Sequence, residues 1–567
     1  MQFRPVLYAT ILALWAQPLA AQTQSIDSGA YLAARVAGAS DDYREAAHWF
    51  TRALIAAPND VFLMDGAIVA QLGAGNVDAA IAVAQRLKSK GTTAQPAELV
   101  LIADQAKRGD YTALAELPEG GRTGALLLDG LVHAWAQLGA GKMSDALDAF
   151  DKMAKTEGLQ AFGLFHKALA LASVGDFEGA EKILSGEVAG AITVMRRGTL
   201  AHIQILSQLE RNPEAIALLD SAFPGETDRA ITALRAKLEA GEPVPFDITR
   251  NVTDGLAEVF FTLALALNGE ASDGFTLQYA RIAAYLRPDH AEAVLLAGAM
   301  LENQKQYDLA TEAYSSVVQS DAGFFAAEIG RARSLKGADK LEAALEVLTT
   351  QIRANPEQIS IHLALADMLR GAERWEEATA AYDAAVALIP QPPTRGYWSI
   401  YYSRAITLER QKIWERAVVD FRQALALEPD QPQVLNYLGY SFLERGENFD
   451  EALEMIERAV KQRPDSGYII DSLAWGYFLA GRYAEAVEPM ERASVLEPVD
   501  PTVTDHLGDV YWAVGRKLEA NFQWRRALSF DPEEDVATRI RRKLEIGLDA
   551  VLVEEGASPL TNATTGN

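Results

Sequence analysis

The sequence predicts an all-α protein, a solenoid of helix–turn–helix units wound as a right-handed superhelix. Three observations carry that expectation. An alanine recurs at Ala46, Ala80, Ala146, Ala180, Ala215, Ala310, Ala344, Ala378, Ala417, Ala452, Ala486 and Ala520, and most steps between neighbours are 34 residues. A proline keeps the same beat at Pro356, Pro390, Pro429, Pro464, Pro498 and Pro532. The stretch "DSLAWGYFLAGR" at 471–482 returns as "DHLGDVYWAVGR" at 505–516.

Each unit reads as two helices and a turn. The first helix carries a large apolar residue followed by a small one, as in Leu438-Gly439, Leu473-Ala474 and Leu507-Gly508. The turn falls at Gly481 and Gly515, where a residue without Cβ ends a helix at little cost. The second helix begins near the register alanine and carries a large ring four residues on, at Phe50, Phe150, Tyr314, Tyr382, Phe421 and Trp524. It closes on the proline, which cannot continue a helix. Small residues at the crossing let two helix axes approach, and the large ones fill the neighbouring gap.

A helical hairpin repeating every 34 residues resembles the tetratricopeptide repeat, and the resemblance runs from about Asp27 to Pro532. The expected order is a signal peptide at 1–21, an N-terminal array at 22–240, an irregular link at 241–256, a C-terminal array at 257–533, a capping helix at 534–553 and a disordered tail at 554–567. The link is read from "GEPVPFDITRNVTDG", whose prolines and lack of helical period interrupt the pattern.

Composition narrows the function. With 78 acidic against 52 basic residues the formal net charge is −26, a field that repels phosphate backbones, so no nucleic-acid partner is expected. The chain has no cysteine, which excludes disulfides, thiolate catalysis, thiolate-bound metal and lipidation at an N-terminal cysteine. The start, "MQFRPVLYATILALWAQPLAAQTQ", has an early cation, an apolar core from Val6 to Trp15 and small residues at Ala20 and Ala21, the layout of a secretory signal peptide. Its apolar core falls well short of the roughly 20 residues a spanning helix needs. The expectation is export to the periplasm, with peripheral association at the outer membrane and no stable membrane insertion once the signal is cleaved.

No catalytic constellation stands out. "GAG" at Gly73–Gly75 and Gly139–Gly141 falls at repeat turns with no strand before it, and the seven histidines are scattered along the repeats. The repeats take up the chain and leave no segment for a catalytic domain. The sequence therefore predicts a non-enzymatic protein without cofactor or metal.

In tetratricopeptide families the first helix of each unit lines a concave groove. Carried onto this chain, that register makes Asn436, Tyr440, Tyr468, Asp471, Trp475, Phe478, Asp505, Asp509 and Trp512 candidate partner-binding residues. Large rings among Asn and Asp side chains suit a protein interface, the rings supplying energy and the polar groups register. The competing reading is that Trp475 and Trp512 pack between adjacent first helices and stiffen the stack. Under the binding reading, replacing both by alanine weakens partner capture and leaves melting nearly intact.

The run "LNYLGYSFLERGENFDEALEMIERAV…DSLAWGYFLAGRYAEAVEPMERASVLEP…HLGDVYWAVGR" is similar to exported bacterial tetratricopeptide proteins. One branch comprises outer-membrane lipoproteins that act as adaptors for a periplasmic carboxyl-terminal processing protease. The resemblance implies a scaffold that binds protein or peptide partners in its groove and recruits envelope substrates to a protease or assembly machine. The missing lipid-anchor cysteine implies a free periplasmic form. The alternative is a structural periplasmic component of an envelope export or exopolysaccharide secretion machine.

Overall fold

The structure, a computed structural model, describes residues 27–92, 94–116, 121–188, 190, 195–223, 229–558 and 560. The expected signal peptide at 1–21 lies outside the described residues, as do residues 561–567 of the expected tail.

Among the described residues the chain is helical throughout, without strands. Hairpins form from α1 (Ser28–Ala39) with α2 (Tyr43–Ala56), α3 (Val61–Gly73) with α4 (Val77–Lys88), α5 (Gln95–Arg108) with α6 (Tyr111–Ala115), α7 (Leu126–Gly139) with α8 (Met143–Ala154), α9 (Gln160–Ser173) with α10 (Phe177–Leu184), and α11 (Arg196–Gln208) with α12 (Asn212–Ala222). After α13 (Arg229–Glu239) come α14 (Val252–Leu267) with α15 (Asp273–Leu286) and α16 (Ala291–Asn303) with α17 (Tyr307–Ser315), followed in the chain by α18 (Phe324–Gly337) and α19 (Leu341–Ala354). Next are α20 (Ile359–Arg370) with α21 (Trp375–Ala387), α22 (Trp398–Arg410) with α23 (Trp414–Leu427), α24 (Pro432–Arg445) with α25 (Phe449–Gln462), α26 (Gly467–Leu479) with α27 (Tyr483–Leu496), and α28 (Pro501–Ala513) with α29 (Lys517–Leu528). Two short helices end the chain, α30 (Glu534–Ile546) and α31 (Leu548–Glu554).

The register alanines from Ala46 to Ala520 are all 0% exposed, which is why the position tolerates so little else. In every repeat but that of Ala452, where Gly446 and Asn448 take the conformation instead, the backbone turns left-handed five residues before the alanine. Gly481 and Gly515 sit there at φ +71° and +83°, and so do Glu210, Glu373 and Lys412 at φ +58° to +63°. The turn geometry is thus kept even where no glycine marks it. The residue after it closes the cap by donating its amide to the carbonyl five back, as Arg482 does to Tyr477 and Ile413 to Leu408.

Packing divides the chain into two compact units, residues 1–347 and 348–567, with the boundary inside α19. The expected irregular link at 241–256 lies within the first of these units. Residues 242–251 do lack helix, but Val244, Ile248 and Thr249 are buried, with the Val244 amide donating to Ser207 Oγ at 2.9 Å and Thr249 Oγ1 to the Leu169 carbonyl at 3.3 Å. The link is pinned to the array before it.

In the first unit the helices do more than stack in a row. The α14–α15 hairpin lies against the first helices of the earlier repeats, α14 on α5, α7 and α9, and α15 on α3 and α5. Every residue of α14 from Asp254 to Ala264 is buried, the environment an all-round apolar helix requires. Gly255 permits the approach, since a Cβ there would lie 2.4 Å from the ring of Trp135. Trp135 is itself fully buried and donates through Nε1 to His166 Nδ1 at 3.2 Å, and burial holds the His166 pKa down at about 4, leaving a neutral acceptor. Glu258, on the same helix, meets Arg197 at 2.7 Å and His290 Nε2 at 3.3 Å. Lys107 Nζ donates to the Tyr285 carbonyl at 2.9 Å, and Tyr111 and Thr253 share a hydroxyl hydrogen bond of 2.7 Å.

The second unit is a plain row of hairpins. Each second helix from α25 onward carries an arginine that reaches back to the closing proline of the preceding repeat: Arg458 to the Pro429 carbonyl, Arg492 to Pro464 and Arg526 to Pro498. Tyrosines follow the same period, with Tyr477 donating to Glu457 and Tyr511 to Glu491. The capping helix expected at 534–553 is two helices, broken at Gly547, where φ is +85° and a Cβ would lie 2.5 Å from the Trp512 ring. The disordered tail expected from 554 is also corrected at its start, because Glu554 is helical and Leu560 packs on the core formed by α26 to α31.

Candidate partner-binding face

The candidate residues lie on α24, α26 and α28, consecutive first helices of the second unit. α24 meets α26 and α26 meets α28, while among the described residues the second helices make no comparable contacts with one another. The first helices therefore form the inner side of the row. That closeness consumes several side chains assigned to an open face.

Asp471 is 6% exposed and its Oδ1 lies 3.0 Å from His506 Nδ1 on the next first helix. Burial opposes a charge on His506, but the carboxylates of Asp471, Asp505 and Asp509 outweigh it and raise the imidazole pKa above its ordinary value. The Trp475 ring is stacked between His506, at 4.0 Å, and Phe478, at 4.7 Å. Phe478 is buried and packs on Tyr483 with ring centroids 5.4 Å apart.

Asp505 and Asp509 are corrected from partner-facing to internal. Lys543 of α30, with its side chain 0% exposed, places Nζ 2.8 Å from Asp505 and 2.7 Å from Asp509. Trp524 Nε1 also donates to Asp509 at 2.8 Å, and Arg539 stands 3.7 Å from it. Burial and the neighbouring Asp509 charge push the Asp505 pKa up against the pull of Lys543. Trp512 packs on Trp524 at 5.2 Å and over Gly547, and its Nε1 donates to Asp549 at 2.8 Å. These three residues seal the last hairpin to α30 and α31.

The geometry of both tryptophans is thus that of the stiffening reading. Trp475→Ala with Trp512→Ala is expected to lower the melting midpoint of the second unit, at about 2 kcal/mol for each half-buried ring, contrary to the intact melting the binding reading requires. Thermal unfolding followed by circular dichroism measures it. A double variant that melts like the parent removes the packing role.

What stays accessible is the α24–α26 part of the face. Tyr468 is 57% exposed, and Asn436 and Tyr440 are half-buried. Asn436 Oδ1 and Trp475 Nε1 are both buried without a hydrogen-bond partner. Burial, with Glu444 and Asp471 adding to it, raises the Tyr440 pKa, so its hydroxyl stays neutral. The exposed ring is open to a bound side chain, and the unpaired acceptor and donor lie beneath the surface, where a small side-chain shift would bring them to a peptide main chain. No group of three or more potential metal ligands occurs among the described residues, and no described helix is long and apolar enough to cross a membrane.

Lys543 and His506 are the residues the sequence reading passes over. A signal for Lys543 exists: it follows Asp509 by 34 residues, so it occupies the same register position one repeat on, with opposite charge.

Residues 329–393, 402–467 and 443–501 match the tetratricopeptide repeat family. A TPR repeat-containing protein of Pseudomonas aeruginosa is 27% identical over 188 residues, covering 33% of this chain and 31% of the relative. A lipoprotein NlpI homolog of Haemophilus influenzae is 30% identical over 125 residues, covering 22% of this chain and 38% of the relative. The chain thus spans about a third of the length of these curated relatives. Among solved structures, the APC/C hetero-tetramer Cut9–Hcn1 aligns with 92% of this chain and 96% of its own, at 13% identity and a TM-score of 0.38. The fold is an all-α tetratricopeptide-repeat solenoid, an architecture that typically serves as a non-catalytic scaffold for protein interactions.

Proposed function

We propose that this protein is an exported, non-enzymatic adaptor of the bacterial envelope that captures a protein partner on the α24–α26 face and brings it to a processing protease. The observation that carries the reading is the pairing of exposed Tyr468 with the unpartnered Asn436 Oδ1 and Trp475 Nε1 on adjoining first helices. Buried polar atoms left without partners are costly, and a bound main chain would satisfy both. The first unit does not offer its face over α3 to α9 in this way, because α14 and α15 already lie there. Export rests on the signal-like start, and the adaptor role on the resemblance of the repeats in the second unit to exported tetratricopeptide adaptors. A photo-crosslinking amino acid at Tyr468, introduced in the exported full-length chain, is expected to trap an envelope protein, and Asn436→Ala to abolish the adduct. A chain retained in the cytoplasm, or an adduct indifferent to Asn436, overturns the proposal.

A further inference from the structure

We infer that the first unit carries a second, separate docking site, a composite cleft between α1–α3 and α15–α16 built for a cationic side chain beside an aromatic or aliphatic anchor of a peptide. The α14–α15 hairpin covers the first-helix face only from α3 onward, and the end at α1 is left open as a cleft of about 810 Å³. One wall is repeat and the other is the chain's own docked hairpin, so the site exists only because that hairpin is seated.

Its floor is apolar and reachable. Phe62 of α3 is 51% exposed, with Arg35 standing 5.1 Å over its ring, and Phe275 of α15 lies on the opposite side of the cleft. An apolar side chain inserted between the rings would remove a large exposed surface from water.

The polar lining calls for N–H donors. Gln278 of α15 is 93% buried, at 7% exposure, and lines the cleft. Its Oε1 has no hydrogen-bond partner, although its Nε2 donates to the Gly274 carbonyl. A buried acceptor left without a partner on a residue of the cleft wall is satisfied by a ligand N–H once the amide turns toward the opening. The carboxylates of Asp41 and Asp273 line the same cleft. Asp41 Oδ1 stands 3.8 Å from where a Cβ on Gly274 would lie, so it faces the turn that carries Asp273. Arg35, the cleft's cation, is turned over Phe62. An ammonium or guanidinium group entering by Asp41 and Asp273 therefore meets uncompensated negative charge, and an acidic segment would be repelled.

Full-length protein is applied to an array of synthetic 12-residue peptides, one set pairing Lys or Arg with Trp, Phe or Leu and a matched set carrying Glu instead. The basic set is expected to be retained at least tenfold more strongly. Asp41→Asn with Asp273→Asn, and separately Gln278→Leu, are expected to reduce retention at least tenfold, whereas Tyr468→Ala in the other unit leaves it unchanged. Phe62→Ala alters a half-exposed side chain and leaves the fold in place, so unchanged retention by that variant alone overturns the inference. Equal retention of the acidic and basic sets overturns it as well. So does a dimer in sedimentation that Phe62→Ala dissolves, since the occupant would then be a second copy.

Discussion

Lys543→Ala will release α30 and α31 from the second unit and open the end of the row. The ammonium lies within 2.9 Å of both carboxylates of Asp505 and Asp509, and its side chain is 0% exposed. Removing it leaves two buried carboxylates side by side with the more distant Arg539, 3.7 Å from Asp509, in place of the shared ammonium, a change of the kind that costs about 3–5 kcal/mol. The loss will be local, because each repeat of a row is held mainly by its neighbours. Hydrogen exchange should show the amides of α28 to α31 losing protection while those of α20 to α23 keep theirs. The compensated variant, with Asp505→Asn, Asp509→Asn and Lys543→Met together, should recover most of the protection, since an amide pair needs no buried cation. Unchanged exchange in Lys543→Ala would mean the carboxylates are held by other means.

Glu258→Ala will loosen the α14–α15 hairpin from the first-helix face it covers. Burial works to raise the Glu258 pKa, yet Arg197 and His290 overcome it and hold the value at about 2. The side chain is 1% exposed, and Arg197 beside it is 14% exposed. Without Glu258 the guanidinium keeps only Glu292 as an ion-pair partner among those described, and the expected loss is again about 3–5 kcal/mol. The sign of the pH dependence follows from the depressed pKa. The stabilisation is complete above the unfolded carboxyl value near 4.5 and is lost as pH falls toward 2. Trp135 reports the seating, because Gly255 of α14 is pressed against its ring. Its fluorescence should change in Glu258→Ala at neutral pH and in the parent chain only upon acidification below 4.5. Identical Trp135 emission in the two proteins across that range would show the hairpin held without this pair.

The hairpins were legible because each repeat must solve the same close-packing problem, and Ala486 or Ala520 can be replaced by little else at a 0% exposed crossing. The turn was only half legible. Gly481 and Gly515 announce it, but Glu373 and Lys412 adopt the same left-handed backbone with no marker in their chemistry. The seating of α14 has no local trace, since it depends on partners such as Trp135 more than a hundred residues away. The sequence "GLAEVFFTLALAL" at 255–267 did hold a hint, being apolar nearly all round, Glu258 and Thr262 excepted, and so unsuited to a surface position. At the candidate face the register placed Tyr468, Asn436 and Tyr440 on the first helices, where the structure has them. It did not separate side chains that look outward from those that clasp the next helix, because the same positions serve both ends. Asp509 and Lys543, one period apart, show this best: a further helix turns a would-be contact residue into an internal one.

The arginines that reach back to Pro429, Pro464 and Pro498 give the second row a direction. Each clasp joins a hairpin only to what precedes it in the chain, so its acceptor has already been synthesised when the arginine emerges. A nascent chain can fasten every repeat on completion, with nothing downstream required, and the row grows like a zip drawn from one end.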